Sequence, residues 1–210
     1  EADADAGVRV VLFHGTDEAF TAGNDIEDFV QRPPADENAP VFRLLQAVVC
    51  ARKPMIAAVN GMAVGLGTTL LLHCDLVYAA EDARFSLPFT KLGLVPEFGS
   101  SYLLPLIAGY QRAAELLLLG EPFDAAHAHA IGIVTRIVPR AQTLETAWEA
   151  ARKIAALPAD SVNLTRELMK SPHRVAIERQ MHLEGSHFRT LLDAPAARKA
   201  MAAFLEKRKK

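Results

Sequence analysis

Glu97 is the residue of this sequence whose surroundings most clearly suit chemistry. It lies in LVPEFGSSYLLP, residues 94–105, which carries no other charged side chain. A glutamate among apolar residues is either solvated in a loop or held in a pocket for proton transfer, because burying an unpaired carboxylate is costly. Apolar neighbours such as Phe98 disfavour the ionised form and raise the pKa, which suits a group that both accepts and donates a proton.

Two glycine-containing turns precede this glutamate, AGND at residues 22–25 and VGLG at residues 64–67. Glycine lets the chain turn so that a backbone N–H projects into a cleft, and two converging N–H groups form an oxyanion hole. Each turn alone is weak support for a site. The informative feature is their order, with Glu97 about 30 residues after the second turn.

Other catalytic and cofactor motifs fit this sequence poorly. GMAVGLG, residues 61–67, lacks the GxGxxG spacing of a dinucleotide-binding loop, and no Gly-Lys-Ser/Thr follows it as in a Walker A loop. Ser100 and Ser101 lack the GxSxG setting of a nucleophile and are predicted to cap the next helix. His127 and His129 are spaced i, i+2, which places them on different faces of a helix, so no metal site is predicted.

Composition and charge narrow the classes of partner. Of the 210 residues, 50% are hydrophobic, enough to bury a sizeable core in one domain with a helical appendage. The 23 basic and 25 acidic residues leave a net charge of -2, which gives no case for nucleic acid or an anionic membrane as the main partner. The terminal basic cluster at residues 207–210 is expected to be a solvated helix end.

Cysteine usage and hydropathy indicate the compartment. Cys50 and Cys74 lack CxxC spacing and are predicted to be small buried side chains in a reducing compartment, without a disulfide. His73, beside Cys74, is predicted to be a core histidine whose hydrogen bonds are satisfied. No apolar run approaches the ~20 residues that span a bilayer, and the start of the chain is acidic, unlike a signal peptide. We therefore expect a cytoplasmic protein, or one of an organelle matrix in a eukaryote.

Alternating strands, turns and helices must position these groups. Residues 8–15 and 55–61 are short apolar runs that end in glycine, which is typical of buried strands. The glycines of the second turn are predicted to lead directly into a helix at residues 68–74, and two more short strands are predicted within residues 75–88. This alternation predicts an α/β core. The prolines and charges of residues 31–40 predict a mobile surface loop.

The second half of the chain is predicted to be mainly helical. A helix at residues 110–120 ends at Gly120, and another is capped by Asp124 and followed by a strand at residues 133–138. From Thr143 onward the pattern predicts helices punctuated by Pro158, Pro172 and Pro195.

Two apolar faces of this helical region must pack against the core or another subunit. One comprises Leu164, Leu168 and Val175, and the other Met181, Phe188 and Leu192.

The sequence resembles the crotonase, or enoyl-CoA hydratase/isomerase, superfamily over residues 8–207. The segments that carry the resemblance are AFTAGNDI, KPMIAAVNGMAVGLGTTLLLHCDLVYAAEDARFSLPF, LGLVPEFGSSYLLP, ELLLLGEPFDAAHAHAIGIVTRIV and AFLEKRK. The resemblance implies an α/β fold with a spiral core of repeated ββα units over residues 1–141 and a helical trimerisation region over residues 142–210. The family's first strands and part of its first helix have no counterpart here, so we expect the chain to be incomplete at its N-terminus.

The same resemblance implies an acyl-CoA thioester as the substrate, with no cofactor beyond the coenzyme A that the substrate carries. It implies assembly as a homotrimer or a dimer of trimers. The backbone N–H groups of Asn24 and Leu66 match those that hold the thioester oxygen in the family, although Leu66 stands where glycine is frequent. The remaining implied contacts with substrate or coenzyme A are Ala22, Gly23, Asp25, Ile26 and Phe89.

The acids distinguish the branches of the superfamily. Hydratases use two glutamates to activate water, and the matching positions here are Thr69 and Phe89, neither of which exchanges protons as a carboxylate does. Glu97 instead matches the single catalytic glutamate of the peroxisomal-type 3-enoyl-CoA to 2-enoyl-CoA isomerases, and AGND and PEFGSS are similar to marks of that branch.

We therefore expect an enoyl-CoA isomerase of fatty-acid oxidation with Glu97 as base and acid. Two alternatives remain open, a hydratase-like lyase on an acyl-CoA and a non-catalytic acyl-CoA-binding subunit. Water addition that depends on Glu97 would favour the hydratase-like lyase, and tight binding without turnover would favour the non-catalytic subunit.

Overall fold

The computed structural model describes residues 1–31 and 39–208, and residues 32–38 of the predicted loop lie outside that part of the chain, as do the side chains of the basic cluster. Its strands, in chain order, are β1 (Val11–His14), β2 (Ala19–Thr21), β3 (Met55–Val59), β4 (Met62–Val64), β5 (Leu76–Ala80), β6 (Arg84–Ser86), β7 (Phe123–Asp124) and β8 (Arg136–Val138). Its α-helices are α1 (Ile26–Gln31), α2 (Pro40–Val49), α3 (Leu66–Thr69), α4 (Ser100–Ala108), α5 (Tyr110–Leu119), α6 (Ala125–Ala130), α7 (Thr143–Ala155), α8 (Ala159–Leu192) and α9 (Pro195–Arg208).

The strands form two four-stranded sheets, β1-β3-β5-β8 and β2-β4-β6-β7. Successive strands of the first half enter the two sheets in turn, so each ββ pair adds one strand to each sheet before a helix follows. All neighbouring strands are parallel except β6 and β7. This repeated step produces a spiral, and it confirms the predicted α/β fold with helices after the core.

Strand β3 is buried along its whole length because the first sheet is covered on both faces. Side chains alternate along a strand, so Met55, Ala57 and Val59 join the main core, whereas Ile56 and Ala58 contact α7 residues on the other face. The continuous apolar sequence therefore reflects a central strand of a parallel sheet.

The segment after β3 differs from its prediction. The chain forms β4 before any helix, and α3 then continues into a 3-10 turn, Leu70–His73. The glycine at position 61 has φ +64 and a Cβ there would lie 1.7 Å from the Glu18 carbonyl oxygen, so the chain reverses tightly and enters the second sheet. Sequence reasoning merged this short strand with the turn.

Several predicted helix boundaries are confirmed. Gly120 ends α5 in the left-handed conformation, and the Asp124 side chain accepts a hydrogen bond from the His127 N–H at 2.8 Å, capping α6. His127 is half-buried and His129 is exposed.

The prediction that Pro172 interrupts the helical region is wrong, because α8 is a continuous helix of 34 residues that includes Pro172. Proline removes one helical hydrogen bond and leaves the carbonyl four residues earlier unpaired. Pro172 is exposed, and Leu168, which carries that carbonyl, is also exposed. Water can therefore hydrate the carbonyl, and the helix continues.

The two predicted apolar faces of α8 have different environments. Phe188 and Leu192 are buried and Met181 packs against the core. Leu164, Leu168 and Val175 are exposed in the single chain, Val175 at 76%. The face that carries Phe188 therefore completes the domain, and the face that carries Leu168 remains exposed in the described chain.

A buried ion pair fixes the beginning of α8 to the sheet. The Arg166 Nε donates to Asp75 Oδ2 at 2.7 Å, and the same carboxylate accepts the Met55 N–H at 2.7 Å. Because β3 leads to the glycine turn and α8 covers Glu97, this pair helps to set the spacing across the site.

Candidate active site

Glu97 occupies a constrained turn at the start of α4. Phe98 has φ 65 and Gly99 has φ 69, and Phe98 is the only non-glycine residue of the described chain in the left-handed region. A bulky residue adopts this conformation at a cost of about 1–2 kcal/mol, so the surroundings must impose it. The turn places the Glu97 side chain inward, where it is 7% exposed.

His73 imposes the conformation of Phe98. The Phe98 carbonyl accepts a hydrogen bond from His73 Nε2 at 2.8 Å, and the two rings stack with centroids 4.1 Å apart. Burial lowers the pKa of His73 to about 4, so the ring is neutral and carries its proton on Nε2. The prediction of a core histidine with its hydrogen bonds satisfied is confirmed, and this histidine holds the turn that carries Glu97.

The two oxygens of Glu97 have different surroundings. Oε1 accepts a hydrogen bond from the Thr69 hydroxyl at 2.6 Å, whereas Oε2 is buried without a partner in the described part of the chain. The pKa of Glu97 is raised to about 8, chiefly by burial, with the Thr69 hydrogen bond opposing the shift and the nearby Glu184 carboxylate adding to it. A carboxyl group with these properties can take up and return a proton near neutral pH.

Glu184 of α8 caps the N-terminus of α4. It is 4% exposed and accepts the Gly99 N–H at 2.6 Å and the Ser101 N–H at 2.9 Å, and the Ser101 hydroxyl also donates to it. The prediction that Ser100 and Ser101 cap this helix is wrong, since both are helical residues and a carboxylate from a distant helix supplies the acceptors.

A signal for Glu184 was present in the sequence. Met181, Glu184 and Phe188 are spaced by three and four residues, so the acid lies on the apolar face that was predicted to be buried. A buried acid needs donors, and their source is visible only in the folded chain.

Replacing Glu184 with glutamine is expected to shift the acid limb of the activity profile to lower pH. The change removes a negative charge near Glu97, so the pKa of Glu97 falls, and one backbone N–H of α4 loses its oxygen acceptor. Glu149→Gln, on an exposed part of α7, is the control. A reduced rate with an unshifted pH profile would mean that Glu184 only supports the fold, and Glu184→Asp tests whether a carboxylate restores the profile.

The two glycine turns lie against each other. A Cβ on Gly23, which has φ +83, would lie 2.5 Å from the Val64 carbonyl oxygen and 3.6 Å from the Leu66 nitrogen. Leu66 is the first residue of α3, so its N–H has no acceptor within that helix. Within the described chain, no hydrogen bond uses the N–H of Asn24 or Leu66.

Asn24 and Glu97 meet at one inner cavity with about 40 Å³ of free space. The cavity is mainly apolar, and it is lined by Asn24, Phe29, Val41, Phe42, Leu45, Glu97, Phe98, Met181, Gly185 and Phe188. The arrangement can therefore hold a small apolar group beside one carboxylate.

In the described chain, the other predicted contact residues do not line this cavity, namely Ala22, Gly23, Asp25, Ile26, Leu66 and Phe89. Ala22 and Asp25 are exposed, and the Asp25 side chain accepts the Glu27 N–H at 2.8 Å at the start of α1. Ile26 packs against the core. Phe89 is buried in the core and is absent from the inner-cavity lining of the described chain; its carbonyl accepts the Leu94 N–H at 2.8 Å in the loop that leads to Glu97.

One cysteine prediction is wrong. Cys50 is exposed, because it follows α2 on the side away from the buried Leu45 and Val48, whereas Cys74 is half-buried. Both are free thiols. Among the described residues no three His, Cys, Asp or Glu side chains are grouped as a metal site requires, and no helix there has the length and apolar character needed to cross a bilayer.

Comparison with known proteins defines the class. The family model described as enoyl-CoA hydratase/isomerase matches residues 1–210, so this chain belongs to that family, within the crotonase superfamily. A probable enoyl-CoA hydratase of Rhizobium meliloti strain 1021 is 36% identical over 99% of this chain and 81% of that protein.

Another relative is named for a different reaction, and a solved structure has the same fold. A 1,2-epoxyphenylacetyl-CoA isomerase of Escherichia coli K12 is 35% identical over 99% of this chain and 82% of that protein. The solved structure of Pseudomonas aeruginosa OdaA is 48% identical, with a TM-score of 0.94 over 97% of this chain and 83% of the other. The fold and family are therefore established, and the reaction has to be argued from the site.

Proposed function

We propose that this protein is an isomerase that converts 3-enoyl-CoA to 2-enoyl-CoA, with Glu97 carrying one proton. The observation that carries the proposal is that one carboxylate alone, Glu97, lines the inner cavity of the described chain. Thr69, which stands where the family's hydratases have a glutamate, donates its hydroxyl to Glu97 and leaves Oε2 available. Glu184 is the other buried acid nearby, and its carboxylate accepts hydrogen bonds from the backbone at the N-terminus of α4.

The reaction needs one base and a site for a developing negative charge. In our proposal the thioester oxygen accepts hydrogen bonds from the N–H groups of Asn24 and Leu66, and Glu97 Oε2 removes a proton from C2. The C–H electrons form a dienolate whose charge rests on the thioester oxygen. Glu97 then returns the proton to C4, the C2–C3 double bond forms, and no water is gained or lost.

The pH dependence follows from the raised pKa of Glu97. Because the free enzyme must hold Glu97 ionised to act as the base, kcat/KM is expected to rise about tenfold per pH unit below the pKa and to level off above about pH 8. A pH profile on a 3-enoyl-CoA measures this directly. A profile that is already flat at about pH 6 would contradict the assignment of Glu97 as the titrating base.

A hydratase-like reaction is the second candidate, favoured by the name of the Rhizobium relative. Hydration requires acid and base groups that position a water molecule, and here a threonine hydroxyl and one carboxylate would have to share that task. The discriminating experiment supplies the protein with a 3-enoyl-CoA and a 2-enoyl-CoA and determines the product masses. A conjugated product of unchanged mass supports the isomerase, and a product heavier by one water supports the hydratase.

The non-catalytic alternative has its own outcome in the same experiment. An acyl-CoA-binding subunit would bind both thioesters and convert neither. The raised pKa of Glu97 and its unpaired oxygen support a catalytic site, because an unsatisfied buried acid is a cost that a passive binding site would not need.

Assembly into a homotrimer, or a dimer of trimers, remains part of the proposal. The exposed apolar residues of α8, among them Leu168, Met169 and Val175, give it a physical motive, because apolar patches of this kind favour burial between subunits. Light scattering on the purified protein measures the mass, and a monomer at micromolar concentration would contradict this part.

A further inference from the structure

A second, larger space lies beside the inner cavity. This outer chamber has about 660 Å³ of free space and lies between α2 and α8. Phe42, Met181 and Gly185 line both the inner cavity and the outer chamber, so the two spaces adjoin at these residues, which form the neck between them. A Cβ added to Gly185 would have no neighbour closer than the Arg189 Nη1 at 3.7 Å, which leaves the neck between them open.

The lining that the two spaces share indicates where a long acyl chain would lie. This step rests on the proposed function, which places C2 to C4 of the acyl group beside Glu97. The inner cavity is lined mainly by apolar side chains, and Phe42, Met181 and Gly185 of that lining also line the outer chamber. An acyl chain that extends beyond the inner cavity would therefore pass Phe42 and Gly185 into the outer chamber.

The outer chamber is not lined as a site for a simple alkyl chain. Arg43 and Arg189 line it, and within the described chain neither guanidinium forms an ion pair with a carboxylate. Arg189 lies over the Phe42 ring at 5.9 Å, at the neck itself. Glu178 is the one carboxylate of the described lining, so two arginine side chains and one carboxylate line the chamber.

Unpaired arginines of this kind suit a planar anion. A guanidinium is always protonated near neutral pH and binds a carboxylate through two parallel N–H donors. The Gln46 amide of the same wall donates one N–H to Cys50 Sγ at 3.1 Å and has a second N–H to offer. Arg43 is exposed and Arg189 is half-buried, so both reach the chamber as hydrated donors, and a carboxylate there would gain charge-assisted hydrogen bonds that an alkyl end cannot make.

We infer that the substrate is an acyl-CoA whose acyl chain ends in a second carboxylate, which binds Arg43 and Arg189 in the outer chamber. The preferred substrates are ω-carboxyacyl thioesters with enough methylene groups to reach from Glu97 past the neck. The phosphates of coenzyme A are the other anions of the substrate, and the test has to separate the two.

The test uses calorimetry to measure the binding of saturated thioesters, which do not react. It compares hexanoyl-CoA with adipyl-CoA, and then the corresponding alkyl and ω-carboxyl thioesters of eight and ten carbons. The wild-type protein is expected to bind at least one ω-carboxyacyl-CoA about tenfold or more tightly than the alkyl thioester of equal length, because a charge-assisted pair is worth that much. The double variant Arg43→Gln/Arg189→Gln is expected to lose this preference and to keep its affinity for the alkyl thioesters. Arg179→Gln, exposed on the same helix and outside the lining, is the matched control.

Two results would overturn the inference. Equal affinity of the wild-type protein for both thioester series would mean that no terminal carboxylate is recognised. An equal loss for both series, and for free coenzyme A, in the double variant would assign the arginines to phosphate. Because saturated thioesters do not react, a failure of the binding inference does not affect the proposed isomerisation of a plain 3-enoyl-CoA. Conversely, a wild-type protein that does not isomerise 3-enoyl-CoA would contradict the proposed function without changing the binding result.

Discussion

Replacing Glu97 with glutamine is expected to lower kcat on a 3-enoyl-CoA by about 10²–10⁴-fold, with little change in KM. Glutamine retains the size and the hydrogen bond from Thr69 but cannot remove the C2 proton. In the proposed mechanism the thioester binds through the N–H groups of Asn24 and Leu66, so its binding would not depend on the carboxylate. Glu115→Gln, which changes an exposed glutamate of α5, is the control for loss of charge alone.

A stability measurement tests whether this loss is caused by unfolding. Because the pKa of Glu97 is raised in the folded protein, the folded state binds more protons than the unfolded state between pH 4.5 and about 8, and stability falls as pH rises through that window. At ~1.4 kcal/mol for each pKa unit, the cost above pH 8 is on the order of 5 kcal/mol. Glu97→Gln should therefore unfold at higher denaturant concentration than the wild-type protein at pH 9, and at about the same concentration at pH 4. A variant that is less stable at both pH values would weaken the kinetic conclusion.

Replacing Gly23 with alanine is expected to lower kcat by about 10²–10³-fold, as loss of one oxyanion donor does elsewhere. A methyl group there would approach the Val64 carbonyl oxygen to 2.5 Å, so the turn must move and carry the Asn24 N–H with it. The backbone strain of alanine at φ +83 adds a stability cost of about 1 kcal/mol.

Gly109→Ala separates strain from loss of the donor. Gly109 has φ +82, almost the same as Gly23, yet an added Cβ would meet no atom within 4 Å, and the residue joins α4 to α5 away from the inner cavity. It should lose about 1 kcal/mol of stability from backbone strain alone and keep its activity. If Gly23→Ala folds and its kcat stays within about threefold of the wild-type value, the Asn24 N–H does not contribute the 10²–10³-fold in kcat that is typical of an oxyanion donor.

The strands and the acid could be predicted because their signals are local. The continuous apolar run of β3 and the glycine endings of β1 and β3 are properties of a few neighbouring residues, and the structure confirms the α/β fold that they indicated. Glu97 stood out because an isolated charge in an apolar segment needs an explanation, and the structure places it in a cavity. The adjacency of the two glycine turns required the fold, since about 40 residues separate them.

The features that sequence reasoning missed depend on distant parts of the chain. Glu184 is 85 residues from Gly99, which it caps. Nothing local to Pro172 shows that its ring and the Leu168 side chain both face water, which is why the helix continues. The outer chamber likewise exists only where α2 and α8 face each other, so the two arginines at positions 43 and 189 could not be connected beforehand.

The transfer of a labelled proton tests the central claim most directly. A 3-enoyl-CoA carrying deuterium at C2 would be converted by the wild-type protein in ordinary water, and the product examined by mass spectrometry and NMR. If Glu97 takes the C2 hydron in its buried site and returns it to C4, the product is a 2-enoyl-CoA with measurable deuterium at C4 and no added oxygen. A 3-hydroxyacyl-CoA, or a 2-enoyl-CoA with no deuterium at C4, would contradict a single buried carboxyl group as the proton carrier.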